Sequence, residues 1–280
     1  MDFTLTSSGQ PVRQPVQVPL NEDPLERKFS NWIGSQINNL HAQRAVRIMK
    51  RSLGLMDEPI SDKLDLRHLK ISSLPDDINW DHLEELILID TSISSLPRGF
   101  NPGKLVNVCL AETPLESWPA ELDCSFLEVL NLTGTEIKKF PPGFNPPRLR
   151  KLILTGAPVE ELPEGFNPGK LEELFSAKTF LRRLPEGFNP PFLNLLDLTE
   201  AKLFEWLPVG FNPPNLSLLN LDETLLKQFP AGFNPPKLTK LFLYKTPLEL
   251  WPEGLDAAQL KLDIRGTPLE AALQAVLHRA

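Results

Sequence analysis

Cysteine is scarce, with two in 280 residues. Cys109 and Cys124 cannot build a disulfide framework, so nothing calls for folding in an oxidising compartment. Histidine is nearly as rare, at four: His41, His68, His82 and His278 are scattered, and no Cys/His/Asp group has metal-ligand spacing. Tyrosine occurs once, as Tyr244. No run approaches the ~18 apolar residues of a membrane span. A surplus of positive charge is also missing: 29 Lys and Arg face 36 Asp and Glu, for a net charge of −7. That balance speaks against binding to nucleic acid or to an anionic membrane, which rely on basic surface. There is no P-loop, no G-x-G-x-x-G after a strand and no G-x-S-x-G nucleophile elbow. The residues therefore point to no enzyme, no cofactor and no metal.

What the chain has in excess is leucine, at 52, and proline, at 29, about twice the usual ~5% for proline. From Ser61 onward an L-x-L pair recurs: Leu64/Leu66, Leu86/Leu88, Val108/Leu110, Leu130/Leu132 and Leu152/Leu154. It continues at Leu174/Ser176, Leu196/Leu198, Leu219/Leu221, Leu241/Leu243 and Leu262/Ile264. The spacing is 22 residues, with one step of 23 and a last one of 21. Ten such units define a leucine-rich-repeat solenoid, with Thr where the common form carries Asn.

Alternation makes x-L-x-L-x a strand whose leucines point inward, and stacked strands form a parallel sheet on the concave face. At ~4.8 Å per strand that face is roughly 43 Å long. The return segment is too short and too rich in proline for a helix, so polyproline-II or 3₁₀ backbone is expected on the convex side. G-F-N-P recurs there six times, at Gly99, Gly143, Gly165, Gly187, Gly210 and Gly232. Its phenylalanines are expected to stack as an aromatic spine. Thr91, Thr113, Thr135, Thr179, Thr224, Thr246 and Thr267 share one column after the strand, where a hydroxyl can bond turn backbone in place of the asparagine ladder.

Solenoid ends need covers. Residues 1–20 are polar and poor in apolar surface, lack the features of a secretory signal peptide, and read as a disordered leader. Residues 21–60 read as a helical hairpin cap. Asp23-Pro24-Leu25-Glu26 opens its first helix, with Leu25, Phe29, Trp32, Ile33, Ile37 and Leu40 at helical spacing. A second helix from about His41 carries Ala42, Ala45, Val46, Met49 and Leu53, with Gly54 as its stop. The repeats fill 61–266. Residues 267–280 read as a closing helix striped by Leu269, Leu273, Val276 and Leu277, with His278 and Arg279 at its negative end.

These ends and units resemble the leucine-rich-repeat effectors that Gram-negative bacteria inject through type III secretion, the LPX proteins of YopM, IpaH and SlrP type. Four features carry the resemblance: Trp32 and Gln43–Lys50 in the hairpin; the first unit from Lys63 to Pro75; the recurring Leu-Pro; and the closing Leu262 to Leu269. Units of 22 residues, Thr for Asn and the G-F-N-P-P segment depart from it. The resemblance implies secretion into a host cell, action in its cytoplasm or nucleus, and binding of a host protein. Residues 1–20 would then carry the secretion signal. The ubiquitin-ligase domain of IpaH and SlrP types, with its C-x-D nucleophile, is not expected about a dozen residues past Thr267-Pro268-Leu269, and neither cysteine matches it. Two alternatives stand beside this: the recognition part of a ligase whose catalytic domain lies elsewhere, and a non-secreted inhibitory or structural repeat protein.

Outward positions beside the strand leucines form the candidate binding face. Ile87, Ile89, Phe175, Lys178, Asp222, Glu223, Lys240, Phe242, Tyr244, Lys245 and Arg265 are its expected contact residues, because interface energy concentrates in buried aromatic and charged anchors. Asp90, Glu112, Glu200, Asp222 and Glu223 are expected to make its middle acidic. Lys240, Lys245, Lys261 and Arg265 are expected to make its last units basic. Nothing in the pattern requires more than a monomer.

Overall fold

The computed structural model describes residues 23–57 and 59–272, together with the backbone of Thr4–Leu5 and Pro11–Val12. Those two short segments, β1 (Thr4–Leu5) and β2 (Pro11–Val12), pair antiparallel. The rest of the expected leader, and the closing-helix residues Leu273, Val276, Leu277, His278 and Arg279, lie outside the described residues.

Helix α1 (Pro24–Ser35) starts as its sequence demands: the Asp23 carboxylate accepts the Leu25 N–H at 2.9 Å, and Pro24 occupies the first turn. Asn38 caps α2 (Asn39–Ser52) in the same way through the His41 N–H. Glu26 does not close a capping box but reaches Lys50 of α2 at 2.6 Å. Phe29 and Trp32 of α1 and Ala42, Ala45, Val46 and Met49 of α2 are buried. Ile37 and Leu40 are not: α1 ends before them, which leaves both exposed at the hairpin turn instead of on the apolar stripe. The hairpin is pinned to the first repeat by Gln36, whose amide oxygen accepts the Ser72 N–H at 2.8 Å, and by the Trp32 indole N–H on Ser73 Oγ.

Ten three-residue strands follow: β3 (Lys63–Asp65), β4 (Glu85–Ile87), β5 (Asn107–Cys109), β6 (Val129–Asn131) and β7 (Lys151–Ile153), then β8 (Glu173–Phe175), β9 (Leu195–Asp197), β10 (Leu218–Asn220), β11 (Lys240–Phe242) and β12 (Lys261–Asp263). They pair in chain order as one parallel sheet. The central residue of each strand faces its counterpart one repeat away, Leu130 against Leu152 for example, and points into the core. Residues 270–272 open a short helix beyond β12.

The convex wall consists of tight turns. In each P-x-G-F the phenylalanine N–H bonds the carbonyl three residues back, as Phe144 does to Pro141 at 3.1 Å. The glycines sit at φ between 73° and 79° in the six G-F-N-P copies, the third position of a type II turn that only a residue without Cβ adopts cheaply. The expected aromatic spine is present: Phe144, Phe166, Phe188, Phe211 and Phe233 stack one on the next with centroids 6.2–6.3 Å apart.

Two polar columns bind the coil. Four convex asparagine carbonyls accept a backbone N–H from the next unit, Asn145 from Asn167, Asn167 from Asn189, Asn189 from Asn212 and Asn212 from Asn234, all at 3.1 Å. Six threonine hydroxyls instead donate within their own unit, to the carbonyl three residues back, as Thr135 does to Leu132 at 2.9 Å, while that of Thr91 makes no such bond. An asparagine ladder therefore exists, on the convex side rather than in the threonine column.

Candidate partner-binding face

Strand geometry sorts the expected contact residues into four columns. Lys240 opens β11, and Ile87, Phe175 and Phe242 close β4, β8 and β11. Two residues further on lie Ile89, Asp222, Tyr244 and Arg265. One place beyond that the backbone turns left-handed in every unit: His68, Asp90, Glu112, Gly134, Gly156, Lys178, Glu200, Glu223, Lys245 and Gly266 all have φ between 54° and 77°. Lys178, Glu223 and Lys245 thus stand in that turn, on the rim of the face and not on its strands. Seven of the ten rim residues carry a side chain where glycine would cost less backbone strain, and six of the seven are charged residues.

The rim charges are paired along the coil. Asp90 meets His68 at 3.2 Å and also Lys70; Lys178 meets Glu200 at 3.5 Å; Glu223 lies 3.8 Å from Lys245 and 3.9 Å from Lys202. On the face, Arg265 clasps Asp263 at 2.6 Å. The acidic middle and the basic end therefore neutralise one another partly, and a partner's charges compete with these exposed pairs, each worth little in water.

Apolar anchors remain. Ile87, Ile89, Phe175, Phe242 and Tyr244 are all half-buried among their neighbours. Lys151 Nζ sits 5.0 Å over the Phe175 ring, and the Tyr244 ring lies between Lys245 at 4.7 Å and Arg265 at 5.4 Å. The Asp222 carboxylate, beneath Tyr244, accepts the Tyr244 N–H at 2.6 Å. Burial, with Asp263 and Asp197 nearby, holds its carboxyl above the usual carboxylate range against that bond. Cys109 lies half-buried on β5. Cys124 is on the convex side, where burial pushes its thiol up to about 11, the opposite of an activated nucleophile.

Among the described residues, no group of three His, Cys, Asp or Glu could hold a metal ion, and no helix is long and apolar enough to cross a membrane. Such a scaffold, open along its sheet, defines a leucine-rich-repeat protein-interaction module. No family model and no curated protein matches the sequence. Solved structures do. YopM, a leucine-rich effector protein from Yersinia pestis, is 25% identical, with 88% of this chain and 72% of that one covered at a TM-score of 0.66. The leucine-rich-repeat domain of the type III effector XopL is 19% identical, with 92% of this chain and all of that one covered at 0.70. YopM from Yersinia enterocolitica is 19% identical, with 87% and 68% covered at 0.50. The likeness to leucine-rich-repeat effectors read from the ends and the recurring Leu-Pro of the sequence thus extends along the coil as a whole.

Proposed function

We propose that this chain is a type III-delivered effector that acts inside a host cell, without catalysis of its own, by holding a host protein against its concave face. The carrying observation is the set of half-buried apolar and aromatic side chains, Ile87, Ile89, Phe175, Phe242 and Tyr244, standing on a sheet whose remaining outward positions are mostly polar. None of them fills the core, which lies on the other side of the strands. The effector likeness supports delivery into a host, and residues 1–20 would supply the export signal. Leucine-rich-repeat coils typically serve as binding scaffolds, which supports the non-catalytic reading.

Affinity capture from host lysate, followed by titration of the captured protein, tests this. A Phe242→Ala, Tyr244→Ala double variant is expected to bind at least tenfold more weakly while remaining folded. Undiminished affinity would place the contact elsewhere. Removing residues 1–20 is expected to stop export and leave the coil intact; continued delivery would remove the signal from that segment.

A further inference from the structure

A solenoid supplies its own controls. Positions one repeat apart do the same structural work, so a change of residue type along a column is not demanded by the fold. On the flank between the strands and the convex wall, the fourth place after the threonine column carries Ser95, Ser117, Lys139 and Glu161 in units two to five. In units six to nine the equivalent place carries Arg183, Trp206, Gln228 and Leu250, with Trp206 one residue later in the longer unit seven and bridged to Arg183. The first place after that column changes likewise, from Ser92, Pro114, Glu136 and Pro158 to include Phe180 and Leu225. All the apolar newcomers are open to solvent: Phe180 is 53% exposed, Trp206 42%, Leu225 42% and Leu250 64%. Trp206, Leu225 and Leu250 line one groove of about 780 Å³. Core packing does not use them, since Phe204, Leu226 and Leu248 beside them are already fully buried. A grouped apolar surface of this kind marks a contact site.

The column between these two identifies the occupant. From unit three to unit nine it alternates as Glu116, Lys138, Glu160, Arg182, Glu205, Lys227 and Glu249, and the last four, beside the apolar positions, read plus, minus, plus, minus. Reversed, the series is its own complement. None of the four enters an ion pair among the described residues, whereas the neighbouring Lys139 and Glu161 meet at 2.9 Å. A two-fold axis between units seven and eight would lay this flank antiparallel on a copy of itself. That operation matches Arg182 with Glu249 and Glu205 with Lys227, twice each, and brings Trp206 and Leu225 of both copies to the centre. Closed two-fold interfaces are built from one self-complementary patch.

We propose that the flank of units six to nine is the interface of a homodimer, two copies packed antiparallel across Trp206 and Leu225. Four units make a short footprint, in the class of interfaces below about 1,200 Å² in total, so the association is reversible. It uses none of the concave strand residues.

Sedimentation equilibrium of the full chain between roughly 1 and 300 µM, spanning the weak end of association, is expected to show the mass rising toward that of a dimer. Trp206→Glu and Leu225→Glu each weaken association at least tenfold with an unchanged melting temperature, both side chains being exposed. Arg182→Glu and Glu249→Arg each weaken it, and the double swap restores it to within a few-fold of the parent. The Phe242→Ala, Tyr244→Ala variant associates as the parent does, which separates this interface from the concave one. A chain that stays monomeric throughout, or single swaps that the double swap fails to rescue, would overturn the proposal.

Discussion

The convex wall and the concave face are cut from the same ten units, yet they follow opposite rules. On the convex side one solution is copied: Gly-Phe-Asn-Pro, with the ring in a stack and the asparagine in a ladder. On the concave side the buried leucines are copied, while the residues between them change from unit to unit. Repetition marks what the coil needs to stand, and variation marks what it is free to use. The flank adds a third case: units two to five carry no large apolar side chain at its two outward places, whereas Phe180, Trp206, Leu225 and Leu250 stand there from unit six onward, at positions where the fold is indifferent.

Substitution should separate these classes, and the largest effect belongs to the spine. Phe188, fully buried between Phe166 and Phe211, changed to alanine leaves a cavity and costs about 3–5 kcal/mol, read from urea unfolding. The ladder comes next. Asn189→Ala removes the acceptor for the Asn212 N–H and costs about 1–2 kcal/mol. On the concave face Phe242→Ala and Tyr244→Ala should each cost less than Phe188→Ala, roughly 1–2 kcal/mol, since both rings keep one side in solvent and leave no closed cavity. Equal losses from spine and face would erase the distinction.

The smallest effect is a pH dependence at Asp222. Its folded carboxyl titrates above the ordinary aspartate value because burial, reinforced by Asp263 and Asp197, disfavours the charge. The folded state therefore binds more protons than the unfolded chain in the window just above the ordinary aspartate value of 3.8. Stability from this group is full below that window and falls as pH rises through it. Asp222→Asn, which keeps an acceptor for the Tyr244 N–H, should melt slightly higher than the parent near neutral pH. That advantage should fade on acidification, as thermal scans across pH would record.

Much of this was legible before any coordinates. The L-x-L spacing locates all ten strands, because a period of two under a period of 22 leaves one register that buries every leucine. The spine was legible from G-F-N-P for the same reason. The ladder was not: threonine invited a comparison with the usual asparagine position, and the asparagine in G-F-N-P looked like turn chemistry alone. Left-handed backbone at the rim was hidden because only Gly134, Gly156 and Gly266 advertise it, the other seven positions bearing side chains. Ile37 and Leu40 fit the helical period, but Gln36 leaves the helix with extended backbone, so the period ends before they can use it. The flank patch is harder to read, because the extra residue of unit seven shifts Trp206 one place out of line with Leu250 when the units are aligned on threonine.

The central claim is that the concave face, and not the wall behind it, holds the partner. Lysine-reactive footprinting of the chain alone and in complex with its captured protein tests this directly. Protection is predicted at Lys151, Lys178 and Lys240, which stand on the strands or their rim, with Lys104, Lys170 and Lys237 on the return side left reactive. Protection confined to Lys104, Lys170 and Lys237 would contradict it.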